Sequence, residues 1–404
     1  MRNIIIIGFS MESEKFNDYS RLDMNSQVAA QKLELRYIRG LIQAGCRVNS
    51  ISSFPASTFP VNKRIFFGFD FKKISQAYEI STAGFVNLPG LKLVTRLFSI
   101  VTLLVAKLLR EGARPSVIIY SLHQPYVLAG LVSKFIFRCN VYVIVPDLPL
   151  FMRTGSKTSA FIQWIKEIDS RFLRYGSSFF DGATFICSSM RLQLPALARN
   201  SLVIDGIVDD AIEEHQLESL ESCDDLRGKK IILYTGQLVE SYGVKLLLGA
   251  IANLPNDYEV WIAGAGELRG EVERAAVKDS RLKYLGLLSP NQVGLAYARA
   301  TLLINPRLLD SEFVRFSFPS KLLEYLTSGV PVLSSRLPSM EDDLIPFLSF
   351  IDELTAAGVA NAIQAVCSEN YTDAVRTALD ARSYVYESRS ANNQVAKLIS
   401  IMDE

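Results

Sequence analysis

Residues 316–335 read FSFPSKLLEYLTSGVPVLSS, and the fold reading starts from them. Pro319 suits a helix start, because its ring fixes φ and its missing N–H would have had no intrahelical partner. Leu322, Leu323 and Leu326 give that helix an apolar side. Gly329 stops it, and the Val-Pro-Val-Leu of residues 330–333 has the composition of a buried strand. Loop, short helix and strand in direct succession make an α/β unit. One carboxylate, Glu324, stands within the helix, with Ser320 and Lys321 at its beginning. Such an N-terminus suits an anionic ligand, and it equally suits an ordinary helix start.

The same alternation extends outward in both directions. Apolar runs at Ile4–Ile7, Val117–Tyr120, Val141–Val145, Thr184–Cys187 and Leu202–Ile204 are short and continuous, as strands buried on both faces are. Between them lie helical stretches such as Gln27–Ile42, where Leu33, Tyr37 and Leu41 recur every four residues. A second series follows: KKIILYTG, YEVWIAGAG, LKYLG, TLLINP and VPVLSS, each a strand leaving for a loop. Between the series, residues 209–225 hold eight carboxylates and no Lys or Arg, with Gly206 and Gly228 flanking them. This is the pattern of a solvated hinge. The expected organisation is an N-terminal domain at 1–208, a C-terminal domain at 209–388 with a linker at 209–228, and a closing helix at 389–404. Two doubly wound domains joined by a hinge enclose a cleft, and ligands of open α/β sheets bind at strand carboxyl ends.

Composition narrows the function classes. The 404-residue chain is 49% apolar and 21% charged, with a net charge of +1, which argues for a folded protein and against bulk binding of nucleic acid. Five scattered cysteines, Cys46, Cys139, Cys187, Cys223 and Cys367, form neither a disulfide framework nor a zinc pattern. With only His123 and His215, no multi-histidine metal centre is expected. The N-terminal isoleucine run is too short for a signal peptide, so a cytoplasmic protein is expected. Residues 91–110, LKLVTRLFSIVTLLVAKLLR, are interrupted by Lys92, Arg96, Lys107 and Arg110, with ten uncharged residues between Arg96 and Lys107. A spanning helix needs about 20 apolar residues. The segment therefore reads either as a packing helix or as one that also touches a membrane surface through its cationic edge.

Several strand exits carry candidate chemistry. Gly236 and Gly243 bracket a loop between strand and helix, suited to a phosphate or simply to a tight turn. Gly264 opens a G-x-G, but position 269 is Arg, so the dinucleotide fingerprint is incomplete and a nicotinamide cofactor is disfavoured. His123 and Asp147 follow strands of the first half; each can orient an acceptor hydroxyl or handle a proton, or be an ordinary strand-end residue. Arg307, Arg315 and Lys321 surround the opening stretch, and three cations there would match a diphosphate.

Taken together these stretches resemble the retaining nucleotide-sugar glycosyltransferases of family 4, and most of all the branch that builds bacterial surface polysaccharides. The resemblance covers nearly the whole chain and is strongest from Ile231 to Ser335; VIDGIVD at 203–209 is similar to the family's lead into its hinge. It implies the GT-B fold, two Rossmann-like domains facing a cleft, and sugar transfer from a nucleoside diphosphate sugar to a hydroxyl with retention. No cofactor or metal is implied. The second of the family's paired glutamates matches Glu324, implying hydrogen bonds to the ribose hydroxyls. The first falls on Phe316, leaving Glu312 as its substitute. The loop Arg and Lys of the family fall on Gln237 and Tyr242, so Arg307, Arg315 and Lys321, with the amides of Ser320 and Lys321, are left to hold the diphosphate. Gly236, Gln237 and Gly264 complete the expected donor site. Asp147, His123 and Asn25 are expected around the acceptor, which is a carbohydrate, a lipid-linked or a protein-linked hydroxyl, at the inner face of the membrane where it is lipid-linked. The competing readings are a sugar-nucleotide epimerase and an inactive GT-B subunit that binds without turnover.

Overall fold

The isoleucine run near the N-terminus forms the middle of a sheet. In a computed structural model, which describes residues 2–20, 23, 28–110, 114–148, 160–208, 228–310, 312–368 and 371–403 except for the side chains of 160–162, 165, 312 and 313, Ile4 to Ile7 have no solvent exposure. The chain divides into two compact units, Met1–Ile207 with Ala391–Glu404, and Val208–Ser390.

The strands of the first unit are β1 (Asn3–Gly8), β2 (Arg47–Ser52), β3 (Phe66–Phe67), β4 (Asp70–Lys73), β5 (Tyr78–Thr82), β6 (Phe85–Val86), β7 (Ser116–Tyr120), β8 (Val141–Val145), β9 (Gly182–Phe185) and β10 (Ser201–Val203). Eight of them form one sheet in the order β10-β9-β8-β7-β1-β2-β5-β4, parallel except for β4 at the edge; β3 and β6 pair separately. The sequence reading gives no strand at β2. Its inward residues include Asn49, Ser50 and Ser52 in place of aliphatics, and Ser50 Oγ is held by Ser10 Oγ at 2.5 Å. The helix over Val28–Gln43 buries Gln31, Glu34, Tyr37, Ile38 and Leu41, so a carboxylate sits inside the face read as apolar. The final helix, Ala391–Asp403, belongs to this unit and crosses Val28–Gln43 so closely that a Cβ on Gly40 would lie 2.6 Å from the Ala391 carbonyl oxygen.

The helix Leu91–Arg110 corrects the idea of a cationic edge. Lys92 donates to the Ala56 carbonyl, and Lys107 pairs with Glu79. Arg96 is 1% exposed, donates from Nη2 to the Phe54 carbonyl at 2.8 Å, and stands 4.2 Å over the Phe85 ring. Carbonyls and an aromatic face replace water around these cations. Arg110 alone of the four is exposed, while Leu91, Val94, Phe98 and Leu109 face outward. Among the described residues no helix is long and apolar enough to cross a membrane. Cys46, Cys139, Cys187 and Cys367 are buried and form no disulfide among the described residues; Cys223 and His215 lie outside the described residues.

The second unit is one parallel sheet of β11 (Lys230–Thr235), β12 (Tyr258–Ala263), β13 (Leu282–Gly286), β14 (Leu302–Asn305), β15 (Val332–Ser335) and β16 (Ser349–Ile351), ordered β13-β12-β11-β14-β15-β16. Ile232, Val260, Leu302, Ile304 and Leu333 from the strands meet Leu247, Val359 and Ile363 from the helices in its core. The strand order reverses between β11 and β14, and in open α/β sheets such a reversal leaves a crevice at the carboxyl ends of the two strands.

Candidate functional site

The crevice of the second unit is built from backbone. The loops after β11, β12 and β14 approach one another so closely that glycine is obligatory at two positions. Gly264 has φ 142°, and a Cβ there would lie 1.8 Å from the Gly236 carbonyl oxygen; Gly243 has φ 74°, and a Cβ would lie 1.8 Å from that of Pro306. Hydrogen bonds join the same loops: Gly236 N–H to Ala263, Leu238 N–H to Ala265 and Leu308 N–H to Ser241, at 2.9–3.0 Å. Gly236 is half-buried and Gln237 is exposed. The Gln237 carbonyl accepts from the Tyr234 hydroxyl at 2.7 Å, which fixes the first turn of the loop.

The helix of the opening stretch runs from Ser320 to Leu326, with Pro319 as its N-cap instead of its first residue. Two turns have little stability of their own. Tyr325 secures them: its buried hydroxyl accepts from the Thr235 N–H at 2.8 Å and donates to the Thr235 carbonyl at 3.1 Å, while the Thr235 hydroxyl reaches that of Tyr297 at 3.1 Å. Glu324, one residue before this anchor, is thereby carried to the end of β11. Its carboxylate accepts from Lys321 Nζ at 2.5 Å, both side chains being about 40% exposed. The Glu324 charge, after burial and Tyr325, also helps to hold the Tyr297 hydroxyl above its usual range.

The three expected cations differ in exposure. Arg307 is 4% exposed; its guanidinium lies 4.5 Å over the Tyr242 ring, inside the loops of the crevice, and burial lowers its affinity for its proton. Arg315 and Ser320 are exposed, and Lys321 is half-buried. Phe316, at the position of the missing glutamate, is 7% exposed, and Val314 and Phe318 are likewise buried. Glu312 opens the single turn Glu312–Phe316, but its side chain is outside the described residues.

In the first unit the order reverses between β1 and β7. His123 follows β7 and caps the helix Gln124–Phe135, with its ring 6.4 Å from Phe9 at the exit of β1 and 5.5 Å from Tyr126. Asp147 follows β8, the neighbour of β7, so both residues stand at the carboxyl end of the sheet. Asp147 is half-buried, and desolvation pushes its carboxyl up to about 6. Asn25 lies outside the described residues. Sequence reasoning missed Glu34, which is fully buried beneath this end. Its Oε2 accepts from the Phe9 N–H at 2.6 Å, and burial pushes the carboxyl up to about 7 despite that bond. The signal available was a glutamate four residues from Ile38 and three from Tyr37 on a buried helix face.

Two doubly wound parallel-sheet units, each with a reversal of strand order, define the GT-B class of fold. Residues 229–368 match the family model described as Glycosyl transferases group 1. Nothing among curated protein sequences matches the chain. Solved structures similar to it include sucrose-phosphate synthase from Thermosynechococcus elongatus, with 14% identity and a TM-score of 0.68 over 100% of this chain and 98% of that one. HepE from Anabaena, in complex with UDP-glucose, is 16% identical with a TM-score of 0.63 over 99% and 100%. The lipopolysaccharide outer core galactosyltransferase WaaB, in its apo form, is 14% identical with a TM-score of 0.61 over 99% of each. At such identities the likeness is one of fold.

Proposed function

We propose that this chain is a retaining glycosyltransferase that moves a sugar from a nucleoside diphosphate sugar to the hydroxyl of a carbohydrate, lipid-linked or protein-linked acceptor, in surface-polysaccharide assembly on the cytoplasmic side. The observation that carries the reading is the crevice between β11 and β14, laced by Gly236, Gly243 and Gly264 and flanked by Glu324, inside the segment that matches the group 1 family. The complex of HepE with UDP-glucose and the WaaB galactosyltransferase make a nucleotide sugar the natural donor to test.

In this reading Glu324 accepts hydrogen bonds from the ribose hydroxyls. Gln237 and the loop at Gly236 and Gly264 border the donor, and Lys321, Arg315 and the Ser320 amide meet the diphosphate. Arg307 contributes its charge from inside the loops. The bond from the anomeric carbon to the diphosphate breaks and negative charge grows on the leaving oxygen, so fixed positive charge lowers the barrier. The acceptor oxygen bonds to the same face of the sugar, and its proton must leave. Asp147, whose carboxyl burial pushes up to about 6, can take a proton at that end of the first sheet, which also carries His123. Glu312 is the carboxylate assigned to the donor sugar in place of the missing glutamate.

Thermal melting with UDP, GDP, ADP and CDP tests the donor site, since a nucleotide at a hundred times its dissociation constant stabilises by about 2.7 kcal/mol. One of them should raise the midpoint. The matching nucleotide sugar should then release nucleoside diphosphate only when acceptor is present. Absence of any nucleotide-dependent shift, together with no release from any nucleotide sugar, would overturn the proposal.

A further inference from the structure

Among the described residues every strongly exposed aromatic side chain belongs to the first unit. Phe66, Phe69, Phe71 and Phe98 are 69%, 59%, 66% and 74% exposed, and Val94 beside Phe98 is 65% exposed. These residues form one surface. Phe66 lies opposite Val86 in the β3–β6 pair, and the Val86 N–H donates to the Thr95 hydroxyl at 3.1 Å. Ser99, one turn further along that helix, donates to the Gly84 carbonyl at 2.5 Å, and a Cβ on Gly84 would lie 2.9 Å from the Phe69 ring. Phe66 and Phe69 therefore flank the first turns of Leu91–Arg110, where Val94 and Phe98 point outward. Phe71 continues the surface along edge strand β4. Asp70 of that strand pairs with Thr82, the last residue of β5, so the surface starts at the carboxyl end of the sheet, on its β4 edge, and extends along antiparallel β4 to Lys73 opposite Glu79.

Two exposed lysines stand among these rings, while the other charges of the segment are paired, Arg64 with Asp18, Lys72 with Glu12 and Asp70 with Lys15. Of the cations in residues 61–74, Lys63, Arg64, Lys72 and Lys73, only Lys63 and Lys73 form no ion pair among the described residues. Protein interfaces enrich aromatics but deplete lysine at their cores, whereas a lipid interface takes both, rings among the acyl chains and ammonium groups among the phosphates. We infer that the surface formed by Phe66, Phe69, Phe71, Val94 and Phe98 with Lys63 and Lys73 docks the first unit on an anionic lipid surface. Docking there sets the β4 edge of the sheet's carboxyl end next to the bilayer, which deepens the proposed function for a lipid-linked acceptor. Vesicle binding by the first unit and nucleotide binding by the second are measured separately, so either reading can fail alone.

The test is sedimentation of the full chain with phosphatidylcholine vesicles containing about one third phosphatidylglycerol, at low and at physiological salt. The chain should sediment with these vesicles, less at higher salt, and weakly with phosphatidylcholine alone. Phe66→Ser and Phe98→Ser, both at exposed positions, should each weaken binding by about tenfold while leaving the melting midpoint and nucleotide-induced shift in place. Lys63→Glu with Lys73→Glu should remove most of the salt dependence. No binding at low salt, or equal binding by the phenylalanine variants, overturns the inference. So does a concentration-dependent dimer that those variants abolish, because a second copy would then cover the surface.

Discussion

Replacing Tyr325 by Phe removes one oxygen atom and nothing else, and it tests whether the helix carrying Glu324 is held to the strand end by that atom. Tyr325 is 1% exposed and Thr235 is 4% exposed, so water cannot replace the hydroxyl without rearrangement. The change leaves a buried N–H and a buried carbonyl of Thr235 without the bonds at 2.8 and 3.1 Å. Each unsatisfied buried group costs about 1–3 kcal/mol, and the Thr235 hydroxyl, already on Tyr297, can offset part of that, so a net loss of about 2–4 kcal/mol is expected. Urea unfolding followed by tryptophan fluorescence reads it cleanly in a Trp164→Phe background, because Trp164 is 60% exposed in the first unit and Trp261 is then the sole remaining tryptophan, 6% exposed in β12. The midpoint should fall with an unchanged denaturant slope, and nucleotide affinity should fall with it. A midpoint within about 0.5 kcal/mol of the parent would show that tertiary packing, and not this hydroxyl, fixes the helix; the account of how Glu324 is positioned would then be wrong.

Gly243→Ala should cost about 3 kcal/mol or more and leave the second unit poorly folded, since the new methyl meets the Pro306 carbonyl at a left-handed φ; Gly270→Ala, in open space near the start of a helix, should match or slightly raise the parent's melting midpoint. Glu324→Gln should weaken nucleotide binding in calorimetry by about 1.5–3 kcal/mol with little change in melting, because the half-exposed pair with Lys321 contributes little to stability. Arg315→Ala and Lys321→Ala should weaken nucleoside diphosphate far more than nucleoside, and equal losses would remove them from the phosphates. Glu34 has its carboxyl raised from 4.5 to about 7 in the folded state, so its contribution is fully present below pH 4.5 and is lost as pH rises through 7. Glu34→Gln should therefore flatten the stability of the first unit between pH 5 and 8, by up to about 3 kcal/mol, in melts that follow this unit.

The fold was legible where strands are buried on both faces. Ile4–Ile7, Val117–Tyr120 and Val141–Val145 are continuous apolar runs because helices cover both sides of the sheet at β1, β7 and β8. β2 is not marked by periodicity because three of its buried side chains, Asn49, Ser50 and Ser52, are polar, Ser50 being held by the hydroxyl of Ser10. The glycines of the crevice were visible as residues, but their necessity was not. Gly264 and Gly243 are fixed by carbonyl groups of other loops, and no local pattern encodes those contacts. Tyr325 is the sharper case. Within LLEYL it looks like one more packing residue, and its role exists only because β11 ends beside it.

Charge was the least legible property of all. Lys92, Arg96 and Lys107 look like an exposed edge in a list of residues, yet they face carbonyls, a phenyl ring and Glu79, while the uncharged Val94 and Phe98 face out. Arg307 likewise lies against the Tyr242 ring and is 4% exposed. The cause is common to both units. A long cationic side chain can lay its methylenes along apolar surface and hand its charge to a carbonyl, a ring or a carboxylate, so its position in sequence does not say which way the charge points. The apolar residues left outside are then the more informative signal, because folding gains nothing from exposing them. On this chain that signal singles out the rim built from Phe66, Phe69 and Phe98, where a ligand surface other than water best accounts for the cost of leaving them exposed.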